Sequence, residues 1–280
     1  MAQSALEVGN AALYKLGATI VTSVTGADTS KEGVVVAARL EPVKRALLRM
    51  HPWNFATKRK VLTPPASFAI SNVTWVSSQI IEITHATVTF ALGSYVTIAS
   101  VLGATLANGA FEVSTATVGG VTTRLTVPLA TTSTLLGTYV SGGTIRQSPA
   151  FDYAYLYTLP TDCLRLLEID ECESWADRWR VEGRNILTDE STSIPILFIY
   201  DVTDYTLMDI EFYECLATYL AWDICDHITG DDNKKRALWT DLHGGDGKIG
   251  LLPRGRFSDA SEESLQTMQT DDWLAARGAE

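Results

Sequence analysis

His51-Pro52-Trp53-Asn54-Phe55-Ala56-Thr57-Lys58-Arg59-Lys60-Val61 marks a corner in the chain. Before it, apolar residues recur at helical spacing; after it, the chain reads as extended for about a hundred residues. Pro52 confines His51 to extended geometry and so ends the preceding helix. Trp53 and Phe55 lie one residue apart, which on an extended segment places both rings on one side. Two large rings facing one way need an apolar wall, and the helical stretches before and after the corner supply one. The corner is read as the joint between a helical part and a β part.

Toward the N-terminus, Leu6, Leu13 and Leu16 with Ala5 and Ala12 predict an amphipathic helix from about Ser4 to Leu16, ended by Gly17. Thr29-x-x-Glu32 has the form of a capping box for a second helix, from about Ser30 to Met50. Val36, Leu40, Val43 and Leu47 form its buried stripe, and Pro42 is expected to kink or divide it. Arg39, Lys44, Arg45 and Arg49, followed by Lys58, Arg59 and Lys60, make this the most basic region of an otherwise acidic chain. The cluster reads either as a solvated helix face or as a patch that meets an acidic partner or a neighbouring subunit.

Beyond the corner the composition changes. From about Asn72 to Ser148 the acidic and basic residues are Glu82, Glu112, Arg124 and Arg146, among many Thr, Val, Ser, Ala and Gly. Alternating apolar residues and turn signals at Gly93, Gly103, Asn108-Gly109, Gly119-Gly120 and Gly142-Gly143 predict a small all-β module of short strands. The flanking segments match one another in style, so the module reads as an insertion. From Phe151 onward a turn and a strand over Leu159–Ile169, a hairpin around Gly183 and a strand at Ile194–Val202 are expected. Asp209 then opens a long helix to about Thr229, with Ile210, Tyr213, Leu216, Leu220 and Ile224 on its apolar face. Asp231 opens another helix, to Leu242.

The chain has 280 residues and a formal net charge of −11. An acidic balance disfavours adhesion to nucleic-acid phosphates or anionic membranes, and suits a surface past which DNA slides or plain solubility. No apolar run approaches the ~20 residues that span a bilayer. Met1-Ala2-Gln3-Ser4 does not lead into an apolar block, so no signal peptide is expected, and the protein is expected in the cytoplasm of the cell that makes it. Cys163, Cys172, Cys215 and Cys225 contain no Cys-x-x-Cys pair. The Gly244-Gly245-Asp246-Gly247-Lys248 stretch departs from a phosphate loop: Ile249 stands where Ser or Thr would hold magnesium, and the stretch reads as a flexible loop. Asp223, Asp226, Asp231 and Asp232 read as a solvated helix end rather than a cation loop. No catalytic residue, cofactor site or metal site is expected. From Ser258 an acidic helix start leads to Trp273-Leu274, read as an anchor into a partner protein or as packing on its own domain.

Four stretches together carry a family resemblance: the His51–Ala56 corner after a helix, the Tyr157-Thr158-Leu159-Pro160-Thr161-Asp162-Cys163-Leu164-Arg165 turn, the Gly183–Leu187 hairpin, and Tyr200-Asp201-Val202-Thr203-Asp204 before a long helix. In this order they resemble the tail tubular protein A family, the head-to-tail adaptors of short-tailed phages. The module at Val101–Val113 and Tyr139–Thr144 is similar to small β-barrel inserts of phage tail proteins. The resemblance implies an α+β fold: a helical bundle packed against a β-sheet region, plus an inserted all-β barrel-like module. The expected domains are an adaptor core at 1–70 and 150–256, the module at 71–149, and a docking segment at 257–280. It further implies a structural virion protein forming a ring of twelve copies between the portal protein and a tail nozzle like tail tubular protein B. Genomic DNA would pass through without specific binding, and the β module could hold tail fibres. The alternative is a tail accessory protein that binds carbohydrate or fibres through that module. Pro52, Trp53, Phe55, Leu216 and Leu220 are expected to form the structural joint. Arg45, Arg49, Lys58, Arg59, Trp273 and Leu274 are the candidate docking residues.

Overall fold

The computed structural model describes residues 4–127, 132–169, 179–245 and 247–262. The chain forms two compact units, one from Met1–Lys58 and Phe198–Glu280, the other from Arg59–Leu197. The fold is α+β with a closed all-β barrel, as the composition shift after the corner predicts.

The first unit is helical. Helix α1 (Ala5–Leu16) is capped by Ser4, whose side chain accepts the Glu7 N–H, and ends at Gly17 in the left-handed region. Helix α2 (Lys31–Met50) runs unbroken through Pro42. Its cap is Ser30, which accepts the Gly33 N–H, and not Thr29: Ser30 has the extended φ/ψ of a cap, and Asp28 holds its N–H and hydroxyl. Val36, Leu40, Val43 and Leu47 are all buried, as the stripe predicts. Helix α4 (Ile210–Ile228) is the hub, touching α1, α2, α5 (Asp232–His243) and α6 (Leu251–Ser261). Its buried face runs through Phe212, Cys215, Leu216, Leu220 and Ile224, whereas Ile210, expected on that face, is exposed. The apolar stripe is wide enough that sequence spacing alone misplaces its first turn. Asp231 caps α5 by accepting the N–H groups of Asn233 and Lys234. The glycine stretch after α5 is not a loop but a small antiparallel ladder, β13 (Gly244–Gly245) on β14 (Lys248–Ile249). Helix α6 then begins at Leu251, well before the acidic start expected at Ser258. Pro253 lies in its first turn, where a missing N–H costs nothing.

The β structure is of three kinds, and the barrel lies wholly in the second unit. Strands β2 (Phe68–Ser77), β3 (Ile80–His85), β4 (Tyr95–Leu102), β5 (Gly109–Val118), β6 (Thr122–Thr126) and β7 (Ser141–Ser148) close a barrel in the order β2-β3-β6-β5-β4-β7. The circuit closes where Phe68 pairs with Ile145 and Ala69 with Thr144. Inward-facing Ile81, Ile83, Val96, Ile98, Val113, Leu125 and Ile145 fill the interior, so this is a packed core with no free edge. Asn108 continues the pairing of β4 by side chain: its Oδ1 accepts the Val101 N–H at 2.9 Å and its Nδ2 donates to the Val101 carbonyl at 3.1 Å. Short helix α3 (Ser133–Leu136) precedes β7. Strands β8 (Tyr155–Thr158), β10 (Trp179–Glu182) and β11 (Asn185–Thr188) form an antiparallel sheet in the order β10-β11-β8. Strands β1 (Thr57–Leu62), β9 (Cys163–Ile169) and β12 (Ile194–Tyr200) form another, in the order β1-β12-β9.

Gly103 shows how tightly one barrel end is closed. Its φ is +87°, and a Cβ there would sit 2.1 Å from the Thr138 carbonyl oxygen and 3.0 Å from the Val140 nitrogen. Gly103→Ala is therefore expected to lower unfolding free energy by about 2 kcal/mol or more, read from urea denaturation.

Candidate functional site

The corner is where the helical unit converges. Residues Asn54–Ala56 form a 3-10 turn rather than an extended segment. The reason is local: the Trp53 carbonyl accepts both the Ala56 N–H at 2.9 Å and the Thr57 hydroxyl at 2.8 Å. Even so, both rings reach one neighbour. Phe212 on α4 meets Trp53 edge-on at 5.1 Å and Phe55 edge-on at 4.9 Å between ring centroids. Trp53 is buried and Phe55 half-buried, while Pro52 is exposed. Leu216 and Leu220 are fully buried on the same helix, one and two turns beyond Phe212. The Trp53 indole N–H donates to the Leu47 carbonyl at 3.4 Å, turning the ring back under α2. On its other side lies α6, where a Cβ on Gly255 would sit 3.5 Å from the indole.

Asp259 completes the joint. It falls in the segment read as an acidic helix start, yet it is only 5 % exposed. Its Oδ1 accepts the Asn54 backbone N–H at 2.8 Å, and its Oδ2 lies 3.0 Å from His51 Nε2. Its carbonyl accepts from Asn54 Nδ2 at 2.7 Å. Sequence reasoning missed Asp259, Gly255 and Phe212. Phe212 follows the helix opened at Asp209 and was open to detection by phase, but nothing local marks Asp259 as buried.

The basic cluster divides. Arg39 pairs with Asp223, Nε to Oδ2 at 2.7 Å. Lys44 is buried; its Nζ reaches the Val202 carbonyl at 2.8 Å, Glu41 at 2.7 Å and Asp201 at 3.3 Å. Arg45 pairs with Asp201 at 2.7 Å. Tyr205 donates its hydroxyl to Glu41 at 2.9 Å, and burial together with that carboxylate pushes its phenol far above the usual range. Arg49 is engaged as well, and Lys58 lies over the Tyr200 ring, 5.1 Å from its centroid. Arg59 is exposed on β1. Trp273 and Leu274 lie outside the described residues.

The aspartates near the end of α4 are similarly engaged. Asp223 holds Arg39, Asp226 pairs with Lys235, and Asp231 is the cap of α5. Among the described residues no group of three or more His, Cys, Asp or Glu side chains is placed to hold a metal ion. Burial pushes the Cys215 thiol up to about 11, which keeps it protonated at neutral pH. A cleft of about 490 Å³ beside the barrel, lined by residues that include Pro64, Pro65, Phe68, Phe90 and Tyr157, contains no carboxylate, histidine or cysteine. The arrangement in the helical unit is that of a packing joint. Comparison of the chain with protein-family models and with curated proteins gives no match.

Two expectations follow from the joint. Trp53→Ala is expected to cost about 3–5 kcal/mol as a large cavity opens, and Asp259→Ala about 1–3 kcal/mol as the Asn54 N–H loses its buried acceptor; guanidinium denaturation reads both. Asp209, at the start of α4, has its carboxyl raised by desolvation and then by Glu262, Asp259 and Glu211. A raised carboxyl favours folding while protonated and loses that contribution as pH rises through its folded value. Asp209→Asn is therefore expected to raise Tm at neutral pH, and the gain to vanish near about pH 3, below the ordinary aspartate range.

Proposed function

We propose that this protein is a structural component of a short-tailed phage virion: the head-to-tail adaptor, which forms a ring between portal and tail nozzle and extends the DNA channel. The observation that carries the reading is the corner itself. The stretch that begins the family resemblance is also the point where α2, α4 and α6 converge through Trp53, Phe212 and Asp259. A barrel inserted beyond such a joint agrees with the same reading, as does a net charge of −11, which lets DNA pass without adhering. Assembly is the whole mechanism: a closed ring forms when one patch of each copy meets a different patch on the next.

A second reading has its own support. At one barrel end, Leu102, Leu106, Leu135 and Val140 are all exposed, and the Val140 N–H donates to the Leu102 carbonyl at 2.9 Å. Contiguous exposed apolar residues mark interaction sites. They favour a tail accessory role in which the barrel holds fibres or binds carbohydrate.

Native mass spectrometry and negative-stain imaging of the full chain separate the two. The adaptor reading expects rings of twelve copies that bind purified portal protein. A protein that stays monomeric at all concentrations, ignores the portal and binds a glycan array would overturn it. Deleting residues 72–148 tests the barrel: loss of fibre attachment with rings retained is the expected outcome.

A further inference from the structure

The face of the β1-β12-β9 sheet carries an open cleft of about 510 Å³, lined by Arg59, Lys60, Val61, Glu168, Pro195, Ile196 and Leu197. Its size falls within the ~300–1,000 Å³ of ligand pockets. The lining is ordered in chemistry. Arg59 and Lys60 on β1 are exposed, and neither has an ion-pair partner among the described residues. Next to them is an apolar floor of Val61, Pro195 and Leu197, with Val61 left 59 % exposed. Glu168 on β9 adds a negative charge, so the lining presents two cations, an apolar floor and one carboxylate.

The sequence after α6 has the complementary order. Asp271-Asp272 is followed by Trp273-Leu274, and Arg277 comes three residues later. Residues 263–280 carry Glu263, Asp271, Asp272 and Glu280 against Arg277 alone. Extended at roughly 3.3 Å per residue, a segment of this length reaches on the order of 60 Å.

We infer that the cleft is the receptor for residues 271–277 of a neighbouring copy of this chain. Asp271 and Asp272 meet Arg59 and Lys60, Trp273 and Leu274 cover Val61, Pro195 and Leu197, and Arg277 meets Glu168. An aromatic anchor in a pocket, flanked by matched charges, is the usual anatomy of an interface hot spot. The assignment to a neighbouring copy rests on the ring reading: cleft and segment are two different patches, which is what closing a ring of identical subunits requires.

The test uses the full chain with p-benzoylphenylalanine in place of Val61, prepared as an equal mixture of unlabelled and ¹⁵N-labelled protein. Cross-linked peptides joining residue 61 to 271–277 with mixed isotopes are expected; homogeneous pairs alone, meaning docking within one chain, overturn the inference, as does absence of the cross-link. Arg59→Glu with Lys60→Glu, and separately Asp271→Lys with Asp272→Lys, are each expected to weaken association by about tenfold or more, and the two pairs combined to restore it. Folded variants whose association is unchanged overturn the inference. Rings that form without the cross-link leave the adaptor reading standing and remove the docking. Mixed cross-links in a protein that stops at dimers do the reverse.

Discussion

The edge-on contact between Trp53 and Phe212 is the constraint on which the helical unit depends. Trp53 leaves the end of α2, turns back to hydrogen-bond Leu47, and is met by α4 on one side and by Gly255 of α6 on the other. The chain leaves for the β unit at Arg59 and returns at Phe198, so these partners are distant in sequence. Closing so long an excursion costs little more than closing a short one, because loop entropy grows only with the logarithm of length. What the excursion needs is a firm seam where it departs and returns. Phe55 and Tyr200 form it: the Tyr200 hydroxyl donates to the Phe55 carbonyl at 3.4 Å, and Lys58 covers the Tyr200 ring.

The joint also explains the fate of the charges on α2. A helix that presents Arg39, Lys44 and Arg45 looks on paper like a surface for an acidic partner. In the folded unit Asp223, Glu41 and Asp201 already occupy these cations. Lys44 in particular sits in a buried cage with Asp201, Glu41 and the Val202 carbonyl. Removing one member of such a cage leaves a charge stranded, so it fixes how α2 sits against residues 201–205 more than it adds net stability. Arg59 and Lys60 on β1, by contrast, remain exposed.

Local patterns were legible in the sequence, and long-range partners were not. The α1 and α2 stripes, the barrel's alternation and the Gly183 hairpin are each written within a short window, because helix and strand periods repeat every few residues. The hub helix was recognised, but its first turn was placed one face off: Ile210 and Phe212 are both apolar, and only the position of the corner decides which is buried. Asp259 was invisible for a stronger reason. An aspartate among Ser and Glu reads as solvated, and its burial is compensated by donors some 200 residues away at His51 and Asn54. The 3-10 turn is local but shows in neither period, because it rests on the Trp53 carbonyl taking the Ala56 N–H and the Thr57 hydroxyl.

The barrel bears on function through what it lacks. Its interior is filled by apolar side chains, Phe90 and Phe111 among them, and the buried His85 is tied up: it lies 2.9 Å from the Thr123 hydroxyl and 2.8 Å from the Ala86 carbonyl. A barrel with no lumen and no edge has only its outer wall and ends to offer, and one end is where Leu102, Leu106, Leu135 and Val140 stand exposed. Apolar side chains held on a tightly closed rim, with glycines where any Cβ would collide, form a fixed surface rather than a plastic one. Fixed surfaces suit partners that dock once during assembly and stay, because the ordering cost of the rim has already been met in folding.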